Sequence, residues 1–438
     1  MHSMNDNYSR GHDGFGGRPM VLVIMLCASI TAGSAAEADP RDARFDAVIS
    51  HYERCGYLRG AVLVSQHGQI IYSRGVGEAN QLTHTPNTPQ TRFGIASITK
   101  QFTAALVLQQ VDAGRIRLDN AVSDYLPWYR KDTGQRMTVE QLLHHTSGLP
   151  ADYDQPEFGD GPAACLHYEP EEFAKKFCQP NLVAEPGAKW AYSNCGYVVL
   201  GLILEQATGE RFEDLLQRQL LTPLGMKDSG LNHMDIAAPG GAAGYTRHAG
   251  PRYTPGPALD YSHIFSGGAM YSSAEDLLRW NQALSSTNFF SENIRRAMFT
   301  PGMRDWAYGW FVTRISPGSP GAGNLLTEMR GDMPGNFFAW VLRYPEEDAL
   351  IIVLRNGYGS TEHLEENLQA VLFNQAPHLP SRSPKDVLAH CGLIIWNLVS
   401  QHIFLLGFIF VGLALLVCVK RARPKSAANL LGSLPGVK

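Results

Sequence analysis

Across residues 60–74 the segment GAVLVSQHGQIIYSR holds two β-rich apolar runs about Gly68, a pattern that predicts a hairpin. Far downstream, NFFAWVLRY and ALIIVLRN form a second pair of strand-like runs separated by the charged turn PEED. The amphipathic stretch TEHLEENLQAVLF that follows reads as a helix. Between these strand regions the apolar spacing is helical, most clearly over Ser97–Ala113, Thr138–Thr146, Gly196–Ala207 and Ser273–Leu284. Strands at both ends with helices between them predict an α+β fold. In it an antiparallel sheet is closed by sequence-distant strands and flanked by helices, and a mostly helical lobe is inserted between its halves. The Gly- and Pro-rich APGGAAGYTRHAGPRYTPGP is too long for a tight turn and reads as surface loop bordering a cleft.

The chain ends carry a different pattern. Arg10 and Arg18 precede the apolar run Val21–Ile30, and the small residues TAGSAA and then Glu37 follow it. This order fits a signal peptide over residues 1–36, with an uncleaved anchor and lipidation at Cys27 as alternatives. At the other end Ile403–Val419 is uncharged, GLIIWNLVSQH extends it upstream, and KRARPK follows. A helix over 393–419 is long enough to span a bilayer, and the basic cluster predicts a cytoplasmic tail over 420–438. Residues 376–392, which include the polar, proline-bearing HLPSRSPKD, read as a linker. The body, residues 45–375, is then expected on the periplasmic or extracellular side of a cell membrane that it reaches through this single helix.

Composition narrows the function. The 438 residues allow a large core, and charged residues make up 18% against a usual share of about 25%, so the body is globular. A net charge of -4 gives no broad electrostatic reason to approach nucleic acid. There is no C-x-x-C pair and no H-E-x-x-H run, so neither a metal nor another cofactor is implied. With Cys27 cleaved away and Cys418 in lipid, five of the seven cysteines remain outside, and Cys165 with Cys178 is the pair to test for a disulfide.

Two segments carry candidate chemistry. FGIASITKQFTAALVLQQVDAG places Ser97 and Lys100 three apart at a helix start, where their side chains share a face. Ser97 could serve only as a helix cap, but a capping box wants Glu or Gln where this chain has Lys100, a cation at the positive end of the helix dipole. Desolvation and that potential would favour a neutral amine able to take the proton of a serine hydroxyl. WAYSNCGYVVLGLILEQATG puts Tyr192 and Asn194 just before an apolar helix. They could be a packed aromatic and a cap; together with Ser97 and Lys100 they could relay a proton and hold a substrate carbonyl.

At these residues the chain resembles the serine β-lactamase and penicillin-binding-protein-like hydrolase family, particularly the class C type with its esterase and D-amino-acid peptidase relatives. The resemblance spans roughly residues 45–375 and rests on FGIASITKQFTA, LLHHTSGLP, YSNCGYVVLGLILE, PLGMKDSG, SGGAMYSSAEDLLRW and MRGDMPGNF, in that order. It implies that fold, with Ser97 as nucleophile, Lys100 as its activator, and Tyr192 with Asn194 as the tyrosine-containing second motif. It also implies an oxyanion hole from the amides of Ser97 and Asp332. The family's third motif, a Lys or His, then Thr or Ser, then Gly, aligns with Met329, Arg330 and Gly331. The family cation is therefore displaced or missing. Arg330 replaces it only if the strand bulges, because neighbouring strand residues point to opposite faces.

Other residues read as structure. Thr138 and Gln141 form a capping box, so His144 and His145 read as packing or hydrogen-bonding groups rather than metal ligands. Ser273 with Asp276 reads as a helix start, and Cys195 as a small buried apolar group. The expectation is an exported, membrane-anchored serine hydrolase acting through a Ser97 acyl-enzyme on an amide, β-lactam or ester of small-molecule or peptide type. Substrate contacts are expected from Asn194, Arg330, Gly331 and Asp332. The alternative is a binding or regulatory module on the same fold that has lost turnover.

Overall fold

The computed structural model describes residues 39–151, 165–231, 240–247, 253–359, 361 and 363–380. The segments read as signal peptide, membrane helix and cytoplasmic tail lie outside these residues. Among the described residues no helix is long and apolar enough to cross a membrane.

Six strands form the main sheet: β1 Gly60–Gln66, β2 Gln69–Val76, β3 Phe311–Arg314, β4 Leu325–Met333, β5 Phe337–Tyr344 and β6 Ala349–Arg355. Their order is β3-β4-β5-β6-β1-β2, with every pairing antiparallel. The predicted hairpin is β1–β2, turned by His67 and Gly68 at φ 50° and 72°, the positive values that a two-residue turn between twisted strands requires. The sequence-distant closure is β1 against β6, from Gly60 opposite Arg355 to Gln66 opposite Ala349. Both strands are continuous apolar runs because the sheet is covered on both faces. Ala61, Leu63, Ile352 and Leu354 enter one core, while Val62, Val64, Ile351 and Val353 enter the other.

The helices that build the two cores and the site are α1 Asp42–Arg54, α2 Thr99–Asp112, α3 Val139–Leu143, α4 Pro170–Phe177, α5 Asn194–Thr208, α6 Ala274–Ser285 and α7 Leu364–Leu372. α1 and α7 cover one face with Phe45, Val48, Ile49, Leu364 and Leu368. The opposite core receives α2, α5 and α6, and α3 and α4 complete the predicted helical lobe. The capping box forms, with the Gln141 amide donating to Thr138 Oγ1 at 3.2 Å and the Thr138 amide to Gln141 Oε1 at 2.9 Å. That helix stops at Leu143 rather than Thr146, because His145 adopts a left-handed φ of 55°. The predicted Ser97–Ala113 helix divides into a 3-10 turn, Ala96–Ile98, and α2.

Two readings need correction. Within the supposed loop, Tyr245–Arg247 and Tyr253–Pro255 pair as antiparallel strands, and the first also pairs with Gly357–Tyr358. Tyr245 anchors them: it is buried, lies 5.0 Å from the Arg59 guanidinium, and its hydroxyl accepts the Gln81 amide at 2.7 Å. The disulfide is Cys178–Cys195, not Cys165–Cys178. α4 intervenes between Cys165 and Cys178, leaving Cys165 exposed. Packing of α4 on α5 sets Cys178, at the end of α4, beside the second residue of α5. Cys195 is thus buried as one half of a crosslink.

A crosslink between positions 17 apart constrains the unfolded chain, so Cys195→Ala is expected to cost about 3 kcal/mol and Cys165→Ala nothing measurable. Denaturant unfolding of the two variants checks this.

Candidate active site

Ser97 sits in the turn entering α2, immediately after Ala96, whose φ of 45° is a left-handed value that costs on the order of 1 kcal/mol or more outside glycine. Surrounding contacts hold it there. The Ile95 amide donates to the Met270 carbonyl at 3.0 Å, and β4 crosses directly over the turn. A Cβ on Gly331 would lie 2.0 Å from the Ile95 carbonyl oxygen, so only glycine lets β4 approach this closely. β4 is bordered by β3 only as far as Glu328 and beyond it by β5 alone, so its free edge runs beside Ser97.

Lys100, in the first turn of α2, has no solvent exposure. Its Nζ donates to Ser97 Oγ at 3.2 Å, to Asn194 Oδ1 at 2.5 Å and to the Gly267 carbonyl at 2.7 Å. It also lies 4.8 Å from the Tyr192 ring centroid and 5.4 Å from that of Tyr197. Tyr192, on the segment leading into α5, donates its hydroxyl hydrogen to Ser97 Oγ at 2.7 Å. Of the four residues predicted from two distant segments, Lys100 and Tyr192 reach the Ser97 hydroxyl oxygen and Asn194 reaches Lys100. Asn194 does so as the first residue of α5, and α5 packs on α2.

Sequence reasoning missed Gly267. Its carbonyl reaches Lys100 on a short turn pinned by Thr103 Oγ1 donating to the Ser266 carbonyl at 2.6 Å and Ser266 Oγ donating to the Tyr197 carbonyl at 2.8 Å. The Ser-Gly-Gly string was the only signal, and a backbone acceptor leaves no mark of residue type.

An open cavity of about 760 Å³ lies over Ser97, Tyr192 and Asn194, walled mainly by Leu259, Ile264, Phe311, Met329, Met333 and Pro334 and bordered by the polar Tyr261, His263, Glu328, Arg330 and Asp332. Met329 is buried, opposite Val341, where its thioether presents no charge. Arg330 also borders the cavity, and its guanidinium lies 4.1 Å over the ring of Trp340, opposite it across the strands, and 3.8 Å from Glu328. Asp332 accepts a long 3.5 Å hydrogen bond from the Tyr358 hydroxyl, and burial raises its carboxyl above the usual range. Among the described residues no group of three or more His, Cys, Asp or Glu could hold a metal.

Burial lowers the pKa of three histidines, His144, His145 and His263, and for His145 the charge of Lys100 adds to the effect. His145 lies well below its ordinary value and so is neutral in the folded chain.

A family model described as Beta-lactamase matches residues 45–375. A penicillin-binding protein of Bacillus subtilis (strain 168) is 27% identical over 353 residues, covering 75% of each chain. The match spans 66% of the length of a putative penicillin-binding protein of Bacillus subtilis (strain 168) and 62% of that of protein flp of Staphylococcus aureus (strain MW2). Among solved structures, an octameric penicillin-binding protein homologue from Pyrococcus abyssi superposes with a TM-score of 0.65 at 26% identity, covering 76% of this chain and 78% of that one. A D-amino acid amidase from Ochrobactrum anthropi SV3 shares the fold with a TM-score of 0.63 at 23% identity, covering 76% of this chain and 98% of that one.

Gly331→Ala forces β4 away from Ile95 and is expected to destabilise the chain by about 1–3 kcal/mol, read by denaturant unfolding. Acidification is expected to destabilise it as well. Below the ordinary histidine value of 6.5 the unfolded chain binds a proton at position 145 that the folded chain refuses. Stability then falls as pH drops, by at most about 1.4 kcal/mol per unit for that one group, and His145→Asn should flatten the fall in thermal midpoints between pH 7 and 5.

Proposed function

The chain belongs to the β-lactamase family, a family of serine hydrolases, and on that premise we propose that it forms and hydrolyses an acyl-enzyme on Ser97, taking neutral esters or amides with an apolar acyl group. The observation that carries this reading is the convergence of Lys100 Nζ and Tyr192 hydroxyl on Ser97 Oγ, at 3.2 and 2.7 Å, beneath an apolar cavity.

In this reading the reactive form of Lys100 is the neutral amine: its two N–H groups stay on Asn194 Oδ1 and the Gly267 carbonyl, the contact with Ser97 reverses, and Nζ takes the Ser97 proton while Oγ attacks the substrate carbonyl carbon. The carbonyl oxygen gathers negative charge between the backbone amides of Ser97 and Asp332, which the close crossing of β4 over Ile95 brings near each other. Tyr192 gives its proton to the departing alcohol or amine as the carbon to heteroatom bond breaks, and is reprotonated from Lys100. Water then attacks the acyl carbon, losing its proton along the same path, and releases a carboxylic acid and free Ser97. Asn194 divides its amide between Lys100, through Oδ1, and the substrate, through its nitrogen.

Substrate preference follows from the cavity wall. Recognition of a substrate carboxylate calls for a cation aimed at it, and Met329 offers a thioether there. Neutral acyl groups lose nothing by this and gain from Phe311, Met333 and Leu259. Export and membrane anchoring belong to the same proposal, supported by the apolar patterns at both chain ends and by a disulfide suited to an oxidising compartment.

The full chain is incubated with a fluorophosphonate, with a fluorescent penicillin and with p-nitrophenyl butyrate, beside Ser97→Ala, and adducts are read by intact mass. A fluorophosphonate adduct and ester hydrolysis, both lost in Ser97→Ala, are expected, with little penicillin adduct. Absence of any serine-dependent adduct and of hydrolysis favours the binding module. Met329→Lys is expected to raise the penicillin acylation rate about ten-fold, the effect of roughly 1.4 kcal/mol from one charged hydrogen bond.

A further inference from the structure

His145 is buried, at 2% exposure, against the segment that carries Tyr192 and Asn194. Its ring nitrogen Nδ1 accepts the Ser193 amide at 3.1 Å, and its carbonyl accepts the Ala191 amide at 2.8 Å. One residue thus fastens the backbone on both sides of Tyr192. Its ring lies 4.4 Å from the Tyr192 ring, 4.7 Å from Trp306 and 5.2 Å from Tyr197. The left-handed φ of 55° turns the side chain off the end of α3 and into this contact.

Which nitrogen does the work is decided by chemistry. A backbone amide can only donate, so Nδ1 is unprotonated and the ring hydrogen resides on Nε2. Nε2 is buried and has no hydrogen-bond partner among the described residues, so the polar task of the ring is the one bond at Nδ1. An unmet donor in the interior is unfavourable, and pure packing would be served better by an apolar side chain. The retained imidazole therefore points to a need for an acceptor at the Ser193 amide.

That amide matters because Ser193 lies between the two catalytic side chains. It is the cap position of α5, with no side-chain capping bond of its own, and Asn194 follows as the first helical residue. Movement at Ser193 shifts the Tyr192 hydroxyl relative to Ser97 and the Asn194 amide relative to Lys100 together. We propose that His145 is a positioning residue for Ser97 chemistry, holding Tyr192 and Asn194 in register through the Ser193 amide without touching substrate. This rests on the hydrolase reading of Ser97.

The test compares His145→Asn with His145→Gln in the full chain. Asn can place its side-chain oxygen where Nδ1 stands, whereas the Gln oxygen falls one bond further out, near the place of Nε2. Hydrolysis of p-nitrophenyl butyrate is measured as kcat per Ser97 that fluorophosphonate labels at completion, so that unfolded chain is not counted. His145→Gln is expected to lose kcat on the order of a hundredfold with KM within about twofold, and His145→Asn to stay within about threefold of the wild-type kcat. Equal losses in the two variants, a wild-type rate in His145→Gln, or a change confined to KM would overturn the positioning role while Ser97 still labels. Failure of the wild-type chain to label at Ser97 would overturn the hydrolase reading itself, and the role with it.

Discussion

A lysine side chain without solvent exposure is the constraint on which the site is organised. Burying a lysine amine at the positive end of a helix is costly unless oxygen atoms take the place of water around it. Three oxygens do so at Lys100, from Ser97, Asn194 and Gly267. They come from three parts of the chain, the turn into α2, the first residue of α5 and the Phe265–Gly268 turn. Satisfying one amine therefore requires the inserted lobe and the sheet-bearing half to dock correctly. The bond that stabilises Lys100 is also the bond that places Ser97.

Around this centre the structure is tightly drawn where chemistry needs position. Ala96 is held in a left-handed conformation, Gly331 admits a carbonyl at a distance no side chain would permit, and His145 leaves the end of α3 with φ positive. The two left-handed residues and the one close approach all adjoin the nucleophile or the tyrosine beside it. Strain of this kind persists only when neighbouring contacts over-determine it, as the two cores packed against the sheet do. The cavity above is different in character, a mainly aliphatic, aromatic and thioether wall with Glu328, Arg330 and Asp332 along one border, whose demands are of size and polarity. Position is thus set from below by hydrogen bonds, and preference from above by apolar surface.

Much of this was legible locally. Hairpin, closing strands and most helices follow from periodicity, and Thr138, Gln141 and Ser273 mark helix starts through caps that form as read. The boundary errors fall where tertiary contact overrides propensity: at His145, which ends a helix early to reach Tyr192, and at Ala96, where β4 presses on the turn. The short strands about Tyr245 were hidden by glycine and proline, since their stability comes from one buried aromatic under Arg59 rather than from any run of β-formers.

The sequence alone determined the chemical inventory: a serine and a lysine one helical turn apart, and a tyrosine and an asparagine before an apolar helix. Those follow from residue identity and local spacing, which the chain carries with it. Tertiary structure decided which cysteines join, that a glycine carbonyl completes the lysine's shell, that Arg330 spends its charge on Trp340 and Glu328, and that His145 reaches the Ser193 amide. Each of these is a contact between elements far apart in the chain. Such contacts depend on helix packing, strand register and backbone atoms, none of which has a signature in the identity of neighbouring residues.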